Sequence, residues 1–147
     1  MLKKIAGFIF VITLLFCTLN ALASASVAPA TGGSAISADT TGGTYTTLTG
    51  PAITEGTTAD IGTGTIILNA PSGFVFNTAV GSVSAVRSDV AGTGCNASRR
   101  LLINGGTSQT VTPTATTITI SITRVSSSGC RNIITWSGIQ VRPTAGF

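Results

Sequence analysis

The stretch TITISITRV, residues 117–125, decides the fold class. Isoleucine occupies every second position, at Ile118, Ile120 and Ile122, and threonine or serine lies between them. Successive side chains of a β-strand point to opposite faces, so this period of two predicts a strand with one apolar and one polar face. Because β-branched residues lie on both faces, we expect an antiparallel sheet that is exposed to water on one side.

Similar short segments recur along the chain, and none of them has the apolar spacing of a helix. Turn-forming residues separate them, as in NAPSG at 69–73 and NGG at 104–106. We expect the second of these to be a hairpin turn between 101–103 and the segment that ends at Val111. The consecutive Ile66, Ile67 and Leu68 predict a strand buried on both faces. The predicted strands are 65–69, 73–77, 82–87, 100–104, 108–112, 117–125, 132–136 and 139–142, and the segments 34–38, 44–48 and 52–54 are candidate edge strands.

About eight to ten short strands in one chain predict an all-β sandwich or barrel with a single core. The side chains expected in that core are Leu48, Ile53, Ile66, Leu68, Phe74, Phe76, Val83, Leu102, Ile118, Ile120, Ile122, Ile134, Trp136 and Ile139.

Residues 1–25 predict a cleavable signal-peptide helix. Lys3 and Lys4 precede an apolar run that ends at Leu19, and small residues follow at 21–25. The run of about 15 residues is shorter than the roughly 20 needed to span a bilayer. We therefore expect contact with a membrane only during export. Residues 26–33 are predicted to be a flexible lead-in, and 34–147 the β-sandwich domain.

The composition argues against an enzyme and against a nucleic-acid-binding protein. The chain is threonine-rich, with 26 Thr, 15 Ser and 18 Gly among 147 residues, no His, and only 8% charged residues. Without histidine, the commonest general base and metal ligand is missing. The carboxylates Asp39, Glu55 and Asp60 are expected to be solubilising groups on loops or edges, and no calcium-loop spacing surrounds them. We predict no catalytic residue, no cofactor, no metal and no nucleic acid.

Two cysteines, Cys95 and Cys130, remain after the predicted cleavage. An even pair in an exported chain predicts a disulfide, and two free thiols are the alternative. The bond would close a loop of about 36 residues and contribute roughly 4 kcal/mol in the chain-entropy model. Each cysteine follows a glycine in a polar segment. We therefore expect the bond to join two loops or strand ends rather than to fill the core.

Tyr45 and Trp136 are the candidate ligand contacts, because aromatic rings can stack on a sugar. The partner would then be a glycan. Trp136 follows the apolar pair Ile133 and Ile134, which is typical of a core tryptophan. Tyr45 lies in a predicted edge strand and is the better candidate for a surface contact.

The span 32–146 resembles the immunoglobulin-like β-sandwich modules of large secreted bacterial surface proteins and adhesins. The matching segments are LTGP at 48–51, ITE at 53–55, GTIIL at 64–68, PSGFVF at 71–76 and WSGIQVRPTAG at 136–146. The resemblance implies an immunoglobulin-like antiparallel sandwich that serves as a scaffold or binding module without a shared catalytic site. Its partners would be other surface-protein modules, or ligands on host or environmental surfaces.

Modules of that kind continue past the last of these segments, whereas this chain stops at Phe147. We therefore expect the last strand to be missing and one sheet edge to be open. The sequence predicts a secreted or cell-surface, non-enzymatic module with a structural or adhesive role. The alternatives are a fimbrial or pilin-like subunit that assembles by strand donation, and a carbohydrate-binding module.

Overall fold

The computed structural model describes residues 25–34, 36, 43–79 and 81–144. Every regular element within these ranges is a β-strand, as the sequence predicts. The predicted signal peptide lies outside the described residues except for Ala25, and so do Asp39 and most of the predicted strand 34–38. In the part of the chain that is described, no helix is long and apolar enough to cross a membrane.

Eleven strands lie within the described residues, and all except β1 fall on predicted segments. They are β1 Ser26–Ala28, β2 Thr46–Thr47, β3 Ala52–Thr54, β4 Gly64–Asn69, β5 Phe74–Phe76, β6 Val83–Asp89, β7 Leu102–Ile103, β8 Ser108–Val111, β9 Thr117–Arg124, β10 Asn132–Ser137 and β11 Gln140–Pro143.

All strand pairs are antiparallel and form three sheets. The largest has the order β1-β3-β10-β6-β8, and the two smaller ones have the orders β2-β11-β5 and β4-β9-β7. The two small sheets are joined where Phe76 N of β5 donates to Ala115 O, just before β9. Together the sheets enclose one hydrophobic core, in an all-β arrangement that fits the predicted sandwich.

Strand β9 has the two faces that its sequence predicts. Ile118, Ile120 and Ile122 are buried in the core, and Thr119 and Thr123 are exposed. The neighbouring β4 pairs with it in a continuous register. Removing three isoleucine side chains from water contributes roughly 1.5–3 kcal/mol for each of them.

Three core assignments made from the sequence are wrong. Phe74 is only partly buried and lies outside the core cluster. Leu101 and Ile103 are fully buried, whereas Leu102, which lies between them, is only partly buried. Strand β4 is not buried on both faces, since Ile67 is 51% exposed and its neighbours Ile66 and Leu68 are partly buried. The physical reason is that the outer face of this sheet is open to solvent, since Thr119 of the central strand β9, directly opposite Ile67, is exposed as well.

Two connections also differ from the sequence-based expectation. Asn104 and Gly105 form the expected tight turn with positive φ values of 47° and 78°. The turn closes a hairpin of one bridge, in which Ile103 and Gly106 exchange both backbone hydrogen bonds. The two strands then separate, because β7 pairs with β9 while β8 pairs with β6 in another sheet. Residues 26–33, expected to be a flexible lead-in, contain β1, which pairs with β3.

Candidate functional site

The disulfide predicted from the cysteine count is present. Cys95 lies in the loop after β6 and Cys130 in the turn before β10, with their Cα atoms 4.5 Å apart. The bond therefore joins two connections, as expected. Cys130 is nevertheless fully buried, so this half of the bond also fills the core. This differs from the sequence-based expectation. We call the surroundings of this bond, where β3, β6 and β9 end and β10 begins, the disulfide end.

Glu55, expected to be a solubilising surface carboxylate, is completely buried at the disulfide end. Its Oε2 accepts a hydrogen bond of 2.7 Å from the backbone N–H of Asn132. Its Oε1 accepts one of 2.8 Å from the hydroxyl of Ser126 and a longer one of 3.4 Å from Ile61 N. Because a buried carboxylate needs donors to replace its water, these contacts explain why the charge is tolerated here.

Asn132 connects Glu55 to a second group of charges. Its side-chain oxygen accepts a 2.7 Å hydrogen bond from Leu101 N, and its amide nitrogen donates to Asp89 Oδ1 at 3.0 Å. Asp89 in turn pairs with Arg87 at 3.0 Å and with Arg100, whose Nε donates to Oδ2 at 2.9 Å. One hydrogen-bonded chain therefore links β3, β10, β6 and the segment before β7.

Arginine side chains of the disulfide end connect loops by hydrogen bonds to backbone carbonyl oxygens. Arg124 donates to the carbonyl oxygens of Ala97 and Arg100, and Arg131 donates to that of Gly56. Burial lowers the pKa of Arg87 from its ordinary value, although the neighbouring Asp89 carboxylate acts in the opposite direction. These cations are used within the fold, so they do not form an anion-binding patch.

The carboxylates and cysteines of the disulfide end are bonded to other groups of the chain. Asp89, Cys95 and Cys130 lie close enough to hold a metal ion. The two sulfurs are bonded to each other, however, so they are not available as thiolate ligands. Asp60 bonds to Thr57 through both carboxylate oxygens, and these hydrogen bonds lower the pKa of Asp60. The carboxylate oxygens of Glu55 and Asp60 therefore all accept hydrogen bonds from other groups of the chain.

The two candidate aromatic contacts are far from equivalent. Trp136 is only 1% exposed, as expected for a core tryptophan. Its ring is therefore not available to stack on a sugar. Within the described residues, its indole Nε1 has no hydrogen-bond partner. Tyr45 is half-buried, and the guanidinium of Arg142 lies 4.6 Å from its ring centroid. One face of the Tyr45 ring is therefore already occupied by a cation–π contact.

The outer side of the five-stranded sheet is uncharged, and we call it the serine–threonine face. Alternation along β6 and β10 directs Val83, Ala85, Ile134 and Trp136 into the core and their neighbours outward. The register then places Thr135 directly opposite Val86. The face consists of Ala52, Thr54, Ser84, Val86, Ser88, Ser108, Thr110, Ile133, Thr135 and Ser137.

An apolar groove lies on another side of the molecule, next to β4. It has a volume of about 430 Å³, and its lining includes Leu68, Phe76 and Val141. Ile67 and Asn69 of β4 also border it. An adjoining cavity of about 380 Å³ shares Leu48 and Val141 with it. The groove contains no charged side chain, so only an apolar or extended uncharged segment matches its lining.

Comparison of the chain with models of protein families, with curated proteins and with solved structures finds no match.

Proposed function

We propose that this chain is an exported, non-enzymatic module of a bacterial surface protein, with an immunoglobulin-like sandwich fold and a structural or adhesive role. The serine–threonine face carries the proposal. It presents hydroxyl and small apolar groups across neighbouring strands, and it bears no charge. A surface of this kind suits contact with another neutral surface.

Export is supported by the disulfide and by the pattern of residues 1–25. Disulfides persist in oxidising compartments outside the cytosol. The Cys95–Cys130 bond is embedded in the hydrogen-bonded network of the disulfide end, since Asn132 lies two residues beyond Cys130. The network and the bond hold the same loops, which favours a module built to withstand an extracellular environment.

The non-enzymatic role is supported by the use of the charged groups. The carboxylates of Glu55, Asp60 and Asp89 each accept hydrogen bonds or ion pairs from the chain itself. A catalytic acid or base needs a titratable group directed at a substrate. None of these three carboxylates is left free for that purpose.

The chemistry of the face indicates the class of partner. A contact without ion pairs is little affected by screening, so adhesion through this face should depend weakly on salt. Hydroxyl groups donate to and accept from the hydroxyl groups of a neutral glycan, or of a second serine- and threonine-rich module. The partner is therefore a neutral, hydroxyl-rich surface rather than a polyanion.

The test is the adhesion of beads coated with the protein to neutral polysaccharides and to beads carrying the same module. Thr135→Lys places a charge at the centre of the serine–threonine face. We expect it to reduce adhesion at least about tenfold, which corresponds to about 1.4 kcal/mol. Thr119→Lys is the matched control, because Thr119 is also an exposed threonine in a central strand but belongs to another sheet.

Adhesion by the unsubstituted protein that survives high salt and is lost only in Thr135→Lys would support the proposal. Equal losses in both lysine variants would contradict it, as would failure to adhere to any surface of the panel.

A second candidate function, a fimbrial or pilin-like subunit that assembles by strand donation, is favoured by the apolar groove. Leu68, Phe76 and Val141 could receive alternate side chains of a strand donated by a neighbouring subunit. Head-to-tail donation does not close on itself, so it predicts a ladder of polymers. Native electrophoresis of the purified protein distinguishes this from a single defined species.

A further inference from the structure

The second edge of β4 has no partner among the residues that the structure describes. Strand β4, Gly64–Asn69, is six residues long. The other edge strands are shorter: β8 has four residues, β1 and β5 have three, and β2 and β7 have two. Strand β7 also has a register shift. In this part of the chain, β4 is therefore the longest edge available for pairing.

Strand β4 also lacks the features that usually protect an edge. Proteins prevent edge-to-edge pairing with lysines, prolines, bulges or very short strands. The sequence of β4, GTIILN, contains no charge and no proline, and its register with β9 is continuous. Ile67, near its middle, is one of the most exposed large hydrophobic side chains of the described residues.

The backbone groups on this free edge can be assigned from the pairing with β9. Ala70 N donates to Thr116 O, in the same register that pairs Leu68 with Ile118 and Ile66 with Ile120. Hydrogen-bonded and non-hydrogen-bonded pairs alternate in an antiparallel ladder. The N–H and C=O groups of Thr65, Ile67 and Asn69 therefore point away from β9, towards the open edge.

We propose that β4 pairs with β4 of a second copy of this chain, antiparallel and across a two-fold axis, with Ile67 opposite Ile67 of the second copy. This register places Thr65 opposite Asn69, and Ile66 opposite Leu68. It aligns the three free N–H and C=O pairs of each strand and forms about six backbone hydrogen bonds. Moving the axis to Ile66 or Leu68 leaves about four.

A second copy suits this edge because the strand is self-complementary. The register puts the outward side chains of both copies on one face and their inward side chains on the other. Ile66 and Leu68 of the second copy lie on the inner side, beside the apolar groove that Leu68 already borders. The antiparallel arrangement brings the disulfide end of one copy towards residues 70–73 of the other, which are uncharged.

The pairing is independent of the adhesive role, because β4 lies outside the serine–threonine face. It forms one continuous sheet of six strands from two copies. The axis closes the assembly at two copies, whereas strand donation would continue into a polymer.

The first experiment is sedimentation velocity of the purified chain over a concentration series. We expect a dimer that Ile67→Lys converts into a monomer, because two lysines would meet at the axis. Val27→Lys is the matched control, since Val27 is also an exposed hydrophobic residue of an edge strand and lies outside the serine–threonine face. It should leave the dimer intact. A monomer at every concentration, a polymer series, or a dimer that Ile67→Lys leaves unchanged would each overturn the proposal.

The second experiment does not depend on the stability of the lysine variant. In the proposed register the Cα atoms of the two copies of residue 67 are about 5.5 Å apart, which a disulfide can bridge. The two copies of residue 65 are about 14 Å apart, because they are staggered by four residues. Oxidised Ile67→Cys should therefore form a covalent dimer and Thr65→Cys should not. Equal cross-linking of the two variants, or none in Ile67→Cys, would overturn the pairing.

Discussion

Replacement of Glu55 by alanine should destabilise the protein by about 3 kcal/mol. The carboxylate accepts two short hydrogen bonds, of 2.7 Å from Asn132 N and 2.8 Å from the Ser126 hydroxyl. Hydrogen bonds to a charged group contribute about 1.5–3 kcal/mol each, which gives about 3–6 kcal/mol for the two. The cost of keeping the charge away from water offsets part of this and favours the lower end of the range.

Glu55→Gln should cost less than Glu55→Ala. The glutamine carbonyl can still accept from Asn132 N, and its amide group can donate to the Ser126 hydroxyl oxygen. The expected order of stability is therefore wild type, then glutamine, then alanine. Ser126→Ala removes one of the two short bonds, and a double-mutant cycle with Glu55→Ala should show a coupling of about 0.5–3 kcal/mol.

The assay is equilibrium unfolding in urea of the oxidised protein, followed by the fluorescence of Trp136, which is the only tryptophan of the chain. Asp60→Ala is the control for the loss of a negative charge, because Asp60 is exposed to solvent, and its effect should be smaller than that of Glu55→Ala. A Glu55→Ala protein within about 0.5 kcal/mol of wild type would refute the reasoning, since surface substitutions stay within that range.

The remaining predictions concern the disulfide, the core and the pH dependence. Cys130→Ala should lower the free energy of unfolding by about 4 kcal/mol relative to the oxidised protein, because the bond spans a sequence separation of 35; chemical denaturation with and without the bond measures the difference. Trp136 should resist quenching by iodide until the protein unfolds, and quenching in the native state would contradict its burial. The pKa of Asp60 is lowered by its hydrogen bonds to Thr57, so its stabilising contribution is present above the pKa of the unfolded chain and lost as the pH falls through the folded value. The difference in stability between wild type and Asp60→Asn should therefore shrink in acid, and a difference that grows below pH 4 would reverse this sign.

Local sequence signals were sufficient for the strands and for the disulfide. The alternation in 117–125 corresponds to β9, and the isolated cysteine pair corresponds to the Cys95–Cys130 bond. Both signals are local or arithmetical: a period of two is visible within one segment, and two cysteines in an exported chain have only one way to pair.

The burial of Glu55 could not be found in this way. Its partners Ser126 and Asn132 are 71 and 77 residues away in sequence. The residues close to Glu55 therefore do not indicate that its carboxylate is buried and hydrogen-bonded. The only local signal is its position directly after β3, where a side chain can still reach the core. The exposure of Ile67 was missed for a similar reason, because an apolar run does not show whether both faces of its sheet are covered.

The outcome for the aromatic residues depends on packing rather than on residue type. The apolar neighbours of Trp136 correctly favoured the core. Tyr45 was expected at the surface, and the contact with Arg142 depends on the pairing of β2 with β11, which no local pattern specifies.

The most direct test of the central claim, that this is an exported and oxidised module, is the intact mass of the protein recovered from outside the cytoplasm after alkylation without reduction. We expect a chain that begins near residue 26 and carries no alkyl group on Cys95 or Cys130. A chain that retains residues 1–25, remains in the cytoplasm and is alkylated on both cysteines would contradict it.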